Sequence, residues 1–197
     1  VGEEGGESMM LKEGALENPK PDVAFAIHSS PFPANTLYYS KGDAMAASEL
    51  VKIEVQGMGV HGSTPWMGKD PLTVAAEIIL ALGQIYRQVP ATEAITISIG
   101  KVDDAGRFNV IGENITLWGT FRCVHQQVMK DVIERIVRIS EHVAQAHGLT
   151  AAVSFDQAVP AIYNEPEWLD RFLPTMERIF GHENMRSGPP QMAYDDH

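Results

Sequence analysis

Residues 50–71 read LVKIEVQGMGVHGSTPWMGKDP and join a strand to a helix through a glycine-rich loop. Val51, Ile53 and Val55 alternate with polar residues, which predicts a strand buried on one side. The loop that follows contains three glycines, which allow tight turns and close approach to a ligand, and one histidine, His61. A histidine in such a loop can donate to an anionic oxygen or a polarised carbonyl. From these residues alone, an incidental histidine in a surface turn is an equally good interpretation.

A strongly apolar helix follows the loop. Asp70 before Pro71 predicts a helix capped by a carboxylate, with proline at its first position. Helical spacing of apolar residues continues to about Gln88, and Pro90 stops it. The predicted buried face consists of Val74, Ala75, Ile78, Leu82 and Ile85.

The same two periodicities continue further along the chain. Alternating apolar residues predict strands near 95–99, 115–119 and 151–155, and helical spacing predicts a second helix over 128–147. The order is strand, helix, strand, strand, helix, strand, which is the split βαβ, ferredoxin-like arrangement (βαββαβ). We therefore expect an α+β domain with a four-stranded antiparallel sheet and two helices on one face. Its edges and its other face need cover or a partner.

The flanking segments have a different character. The apolar run 23–27 ends at His28 and predicts a buried strand with a polar residue at its end, as parallel sheets have at their ligand-binding edge. Residues 37–39 predict a short strand, and residues 165–181 predict an amphipathic helix bent at Pro174. These flanks are typical of one part of a larger α/β domain.

Three segments therefore make up the chain. Residues 49–162 form the small α+β domain, which is inserted between residues 1–48 and residues 163–197 of the α/β domain. The chain has 197 residues and begins at Val1, without an initiating methionine. We expect it to be a fragment that lacks both ends of its parent.

Composition narrows the range of partners. The net charge is −11 and no basic stripe is present, which argues against nucleic acid as a partner. No apolar run approaches the length that spans a bilayer, so we expect no membrane partner. Cys123 is the only cysteine, which excludes an internal disulfide and a cysteine-based zinc cluster. The compartment stays open between cytoplasmic and periplasmic or secreted.

Five motifs occur in a fixed order along the chain: EGALENPKPDVAFAIH (13–28), SKGDAMAAS (40–48), GVHGSTPWMGKDPLTVAAEII (59–79), ITISIGKVDDAGRFNVIGENITLWGTFR (95–122) and NEPEW (164–168). Together they resemble the M20-type metallopeptidases and amidohydrolases. The resemblance is greatest to the branch of hippurate hydrolases, N-acyl-amino-acid amidohydrolases and auxin-conjugate hydrolases.

The resemblance implies a zinc-peptidase-like α/β catalytic domain with an inserted ferredoxin-like lid, which also forms a homodimer. It implies two divalent metals, zinc or manganese, that polarise the scissile carbonyl and lower the pKa of a bridging water. A glutamate serves as general base. The implied substrates are small N-acyl amino acids, with dipeptides as the alternative.

The resemblance also implies roles for four residues. His28 matches a metal ligand, and His61 matches the lid histidine that stabilises the tetrahedral intermediate, often from the partner subunit. Asn109 matches a lid asparagine near the substrate, although asparagine is also common in turns. Arg122 matches the arginine that binds the substrate carboxylate, for which its planar guanidinium is suited.

The match is incomplete at the metal site. Glu3 and Glu4 resemble the family's catalytic glutamate pair, but their spacing to His28 favours a second acidic-glycine loop instead. The upstream ligands are missing, and His197 does not match the final ligand. We therefore expect the 197-residue chain to be inactive and to bind metal weakly. A non-catalytic dimerisation module is the alternative from a different class.

Overall fold

The computed structural model describes residues 6–193, so Glu3, Glu4 and His197 lie outside the described residues. Two compact units are present. The central unit comprises residues 48–158, and the flanking unit comprises the described residues up to Ala47 and from Val159. In chain order the elements are α1 (Gly6–Lys12), β1 (Leu37–Tyr39), β2 (Gly42–Met45), β3 (Ala47–Gln56), β4 (Val60–His61), α2 (Pro71–Leu82), β5 (Ile95–Asp104), β6 (Val110–Ile111), β7 (Asn114–Cys123), α3 (Gln126–Ala146), β8 (Thr150–Val159), β9 (Ile162–Asn164), α4 (Pro166–Phe180) and β10 (Met185–Ser187).

The central unit is built on one four-stranded sheet with the strand order β5-β7-β3-β8. Its long elements follow the predicted order of strand, helix, strand, strand, helix, strand. Strands β5 and β7 pair antiparallel, with an irregularity between Ile99 and Lys101. The predicted α+β class is confirmed, and β5 and β8 are the edges of the sheet.

The core of the central unit lies between the sheet and the helices α2 and α3. Alternation places the odd-numbered residues of β3 and β7 on the buried side, as predicted for Val51, Ile53 and Val55. The fully buried side chains also include those of Ile78, Ile85, Ile115, Leu117, Phe121, Val132 and Ile136. Burial of these apolar side chains is the main stabilising contribution to the unit.

Helix α2 begins as the sequence predicts. The Asp70 carboxylate accepts a hydrogen bond from the Leu72 N–H at 2.8 Å, and Pro71 occupies the first turn. The helix ends at Leu82, which is earlier than the predicted Gln88. At Gly83 the backbone changes to i→i+3 bonding, and a 3₁₀ turn, Ile85–Arg87, follows. Ile85 is nevertheless buried, because the 3₁₀ turn continues along the same core.

The flanking unit contains two short strand pairs. Strand β1 pairs parallel with β10, and β2 pairs antiparallel with β9. The strand predicted at 37–39 is confirmed, as is the helix α4, which contains Pro174.

The strand predicted at 23–27 is wrong. Residues 23–28 have no regular secondary structure, and Phe25 and Ile27 are 55% and 78% exposed. A strand needs a neighbour for its backbone N–H and C=O groups, and no described strand pairs with this run. The Phe25 ring instead contacts the Phe172 ring of α4, with centroids 4.0 Å apart.

Candidate functional site

A small two-stranded ribbon, formed by β4 and β6, brings His61 and Asn109 together. His61 pairs with Val110 in antiparallel register, and the Gly62 N–H donates to the Asn109 carbonyl at 2.8 Å. The two residues lie 48 positions apart in the sequence, yet the β4–β6 ribbon brings their backbones close together, and both residues are exposed. This contact unites two of the residues that the sequence analysis singled out separately.

The glycine-rich loop is closed by its own backbone. Met58 and Lys69 exchange hydrogen bonds, from Met58 N–H to Lys69 O at 2.9 Å and from Lys69 N–H to Met58 O at 3.0 Å. A β-carbon at Gly68 would lie 2.4 Å from Val60 Cγ1, so the position next to this closure has no room for a side chain. The closure holds β4, and therefore His61, in a fixed position relative to the start of α2.

His61 is exposed, and one of its two ring nitrogens is hydrogen-bonded. Its Nδ1 lies 2.7 Å from Ser63 Oγ and accepts a hydrogen bond from the Ser63 N–H at 3.2 Å. Ser63 was not among the residues predicted from the sequence. A serine two residues after a turn histidine is the signal that would have identified it, because short hydroxyl side chains bond to nearby groups in turns.

Asn109 occupies a tight turn at the tip of the β4–β6 ribbon. Arg107 and Val110 exchange backbone hydrogen bonds at 2.9 and 3.0 Å, which leaves Phe108 and Asn109 as the two central residues. Both are exposed, and the Phe108 side chain is fully so. The geometry suits a turn-forming asparagine and equally an amide that is presented to a ligand.

Arg122 lies at the other end of the sheet from the β4–β6 ribbon. Strand β7 starts at Asn114, close after the ribbon, and Arg122 is eight residues further along, opposite Thr96 at the start of β5. With a rise of about 3.4 Å per residue, this places Arg122 about 27 Å from the ribbon end of the strand. Arg122 is half-buried on the sheet face opposite to the buried side chains of β7. One chain therefore does not bring Arg122 together with His61 and Asn109.

His28 belongs to the flanking unit, where it is exposed and its Nδ1 contacts the Ser29 carbonyl. Among residues 6–193 no group of three or more His, Cys, Asp or Glu side chains is placed to hold a metal ion. The described residues therefore do not fit a metal pair by themselves.

Over the same range, no helix combines the length and the apolar character needed to cross a bilayer.

The central unit matches a known family model. Residues 49–148 match the peptidase dimerisation domain of the M20 proteins. The matched segment coincides with most of the central unit, including both strands of the β4–β6 ribbon. The chain therefore belongs to the M20 metallopeptidase and amidohydrolase family and contains its dimerisation domain.

Individual proteins extend the match into the flanking unit. The hippurate hydrolase of Campylobacter jejuni is 31% identical over 195 residues, which cover 98% of this chain and 51% of that protein. The N-acetyl-L-cysteine deacetylase of Bacillus subtilis is 28% identical over 162 residues, or 81% of this chain and 38% of that protein. The crystal structure of Bacillus subtilis YxeP, a dinuclear metal-binding M20 peptidase, superposes with a TM-score of 0.72 at 21% identity, over 96% of this chain and 47% of that chain. The chain spans about half the length of the curated relatives it matches.

Proposed function

We propose that the whole protein hydrolyses the amide bond of N-acyl amino acids. The observation that carries this proposal is the backbone proximity of His61 and Asn109 on the β4–β6 ribbon, in the dimerisation domain of an M20 protein: His61 pairs with Val110, and the Gly62 N–H donates to the Asn109 carbonyl. An imidazole N–H and a carboxamide N–H are both suited to bind the oxygen that becomes negatively charged when an amide is attacked. Preorganised donors of this kind stabilise the tetrahedral intermediate more than the substrate.

Relatives with known activities support the class of substrate. The names of two of them, a hippurate hydrolase and an N-acetyl-L-cysteine deacetylase, describe hydrolysis of acylated compounds. In this proposal Arg122 binds the free carboxylate of the amino acid, because a guanidinium matches two carboxylate oxygens. A dipeptidase is the alternative within the family, since a dipeptide also ends in a carboxylate.

The proposal includes two divalent metals, zinc or manganese, in the whole protein. Such metals activate water and polarise a carbonyl when they are bound. Of the described residues, His28 is the candidate ligand, through a neutral imidazole nitrogen. The remaining ligands and the catalytic base would come from outside the described residues.

The proposed active site is shared between two copies of the chain. His61 and Asn109 lie at one end of the central sheet and Arg122 about 27 Å along β7, so one substrate cannot reach all three in a single copy. A homodimer brings the three residues together if the β4–β6 ribbon of one copy packs near the Arg122 end of the sheet in the other copy.

Helix α2 supports association between two copies. Its sequence, PLTVAAEIILAL, is apolar on almost every side, and Leu72, Ile79 and Leu80 are exposed in the single chain. A helix that is apolar all round is usually buried on all sides. Together with the edge strand β5, this surface is our candidate for the dimer interface.

An activity panel tests the proposal. The whole protein, supplied with zinc or manganese, is assayed against N-acyl amino acids that vary in acyl group and amino acid, alongside unmodified dipeptides. We expect turnover of at least one N-acyl amino acid at a kcat/KM above that of every dipeptide. Faster dipeptide hydrolysis would support the dipeptidase, and no hydrolysis of either class would support a non-catalytic dimerisation module.

A further inference from the structure

The hydrogen bonds at His61 determine which ring nitrogen carries the proton. The backbone N–H of Ser63 reaches Nδ1 at 3.2 Å. A backbone N–H can only donate, so Nδ1 has to accept with its lone pair. The neutral imidazole therefore carries its proton on Nε2, and the Ser63 hydroxyl, 2.7 Å from Nδ1, supplies a second donor to the same atom.

The backbone around Ser63 makes this arrangement rigid. The Thr64 N–H donates to the His61 carbonyl at 2.9 Å and the Thr64 hydroxyl reaches the same oxygen at 3.3 Å. Gly62, between His61 and Ser63, is bound to Asn109 across the β4–β6 ribbon at 2.8 Å. Within residues 6–193 no hydrogen bond occupies His61 Nε2, so its N–H remains available on an exposed surface.

We propose that Ser63 is a positioning residue that fixes His61 as a donor through Nε2. The chemical meaning of this inference rests on the proposed function, in which His61 donates to the substrate oxygen. With the proton on Nδ1 instead, Nε2 would direct a lone pair at that oxygen and repel the developing negative charge. The tautomer itself is a property of this chain and does not depend on any activity.

Nitrogen NMR of the 197-residue chain, labelled with ¹⁵N-histidine, tests the tautomer directly. The signals of His61 are assigned by their loss in His61→Gln, and spectra are recorded at a pH where the ring is neutral. We expect a single tautomer, protonated on Nε2, in the unaltered chain and in Ser63→Thr, which keeps the hydroxyl. Ser63→Ala keeps the backbone N–H that donates to Nδ1, so it should also keep the Nε2 tautomer. Protonation on Nδ1 in the unaltered chain or in Ser63→Ala would overturn the inference.

Turnover by the whole protein tests the catalytic consequence. Ser63→Ala should lower kcat about tenfold with little change in KM, and Ser63→Thr should restore it, as expected for a partner that orients a functional histidine. If kcat of Ser63→Ala equals that of the unaltered protein, the positioning role of the Ser63 hydroxyl is wrong. If the whole protein hydrolyses no N-acyl amino acid or dipeptide, the proposed function fails while the tautomer result stands.

Discussion

Glu49, near the start of β3, is an ionisable residue in an unfavourable environment. Partial burial raises the pKa of its carboxyl above the ordinary value of 4.5, and the negative charge of Asp156 on β8 raises the pKa further. A carboxyl with a higher pKa in the folded state binds its proton more tightly there than in the unfolded chain. Its contribution to stability is therefore fully present below the unfolded pKa and is lost as the pH rises through the folded pKa.

Glu49→Gln should stabilise the central unit at neutral pH. The amide removes the cost of keeping a half-buried charge beside Asp156, so we expect a higher Tm than that of the unaltered chain at pH 7. The gain should shrink as the pH falls through the raised pKa of folded Glu49 and should disappear below about 4.5, where Glu49 is protonated in both states. Thermal unfolding followed by circular dichroism between pH 4 and 8 measures the difference in Tm. Glu141→Gln, at an exposed position, is the control. A lower Tm at pH 7, or a gain that does not depend on pH, would contradict this account.

At the scale of elements, the cap of helix α2 makes a defined contribution. The Asp70 carboxylate satisfies the Leu72 N–H, one of the donors that has no partner within the helix. Asp70→Ala should lower the free energy of unfolding by about 1 kcal/mol. Asp70→Asn should keep most of the stabilisation by the cap, because an amide oxygen also accepts a hydrogen bond from the helix N-terminus. Urea unfolding measures both variants. Equal losses for alanine and asparagine would show that the cap hydrogen bond does not matter.

The long elements of the central unit were predictable because their periodicity reports burial on one face. Val51, Ile53 and Val55 alternate over a strand that packs against helices, so the alternation alone identifies the strand and its buried side. The run at 23–27 is equally apolar, but a strand also needs neighbours, and a single segment does not reveal whether they are present. The two-residue strands β4 and β6 are too short to have any period.

The candidate site was only partly predictable, because the sequence does not reveal which segments lie next to each other in the fold. The motifs identify His61, Asn109 and Arg122 as residue types suited to amide hydrolysis. Their grouping depends on the pairing of His61 with Val110 across the β4–β6 ribbon and on the length of β7, which are tertiary properties. The roles of these residues, and of His28, stay predictions.

At the scale of the whole molecule, a shared active site makes a quantitative prediction about mixed dimers. His61→Ala and Arg122→Ala should each inactivate the whole protein. When the two variants are unfolded together and refolded in equal amounts, half of the dimers are mixed, and one of their two sites has both residues intact. We expect about a quarter of the unaltered activity to return. Each variant refolded alone is the control, and the absence of any recovery in verified mixed dimers would show that the site is not shared in this way.

The most direct test of the central claim is the turnover number of the whole protein carrying His61→Ala. Because the variant loses one preorganised donor to the intermediate, kcat for an N-acyl amino acid should fall by a factor on the order of 100 or more. His142→Ala, an exposed histidine on α3 in the same unit, should leave kcat unchanged. Thermal unfolding should show that both variants remain folded. A kcat for His61→Ala equal to that of the unaltered protein would contradict the account and return His61 to an incidental residue in a surface turn.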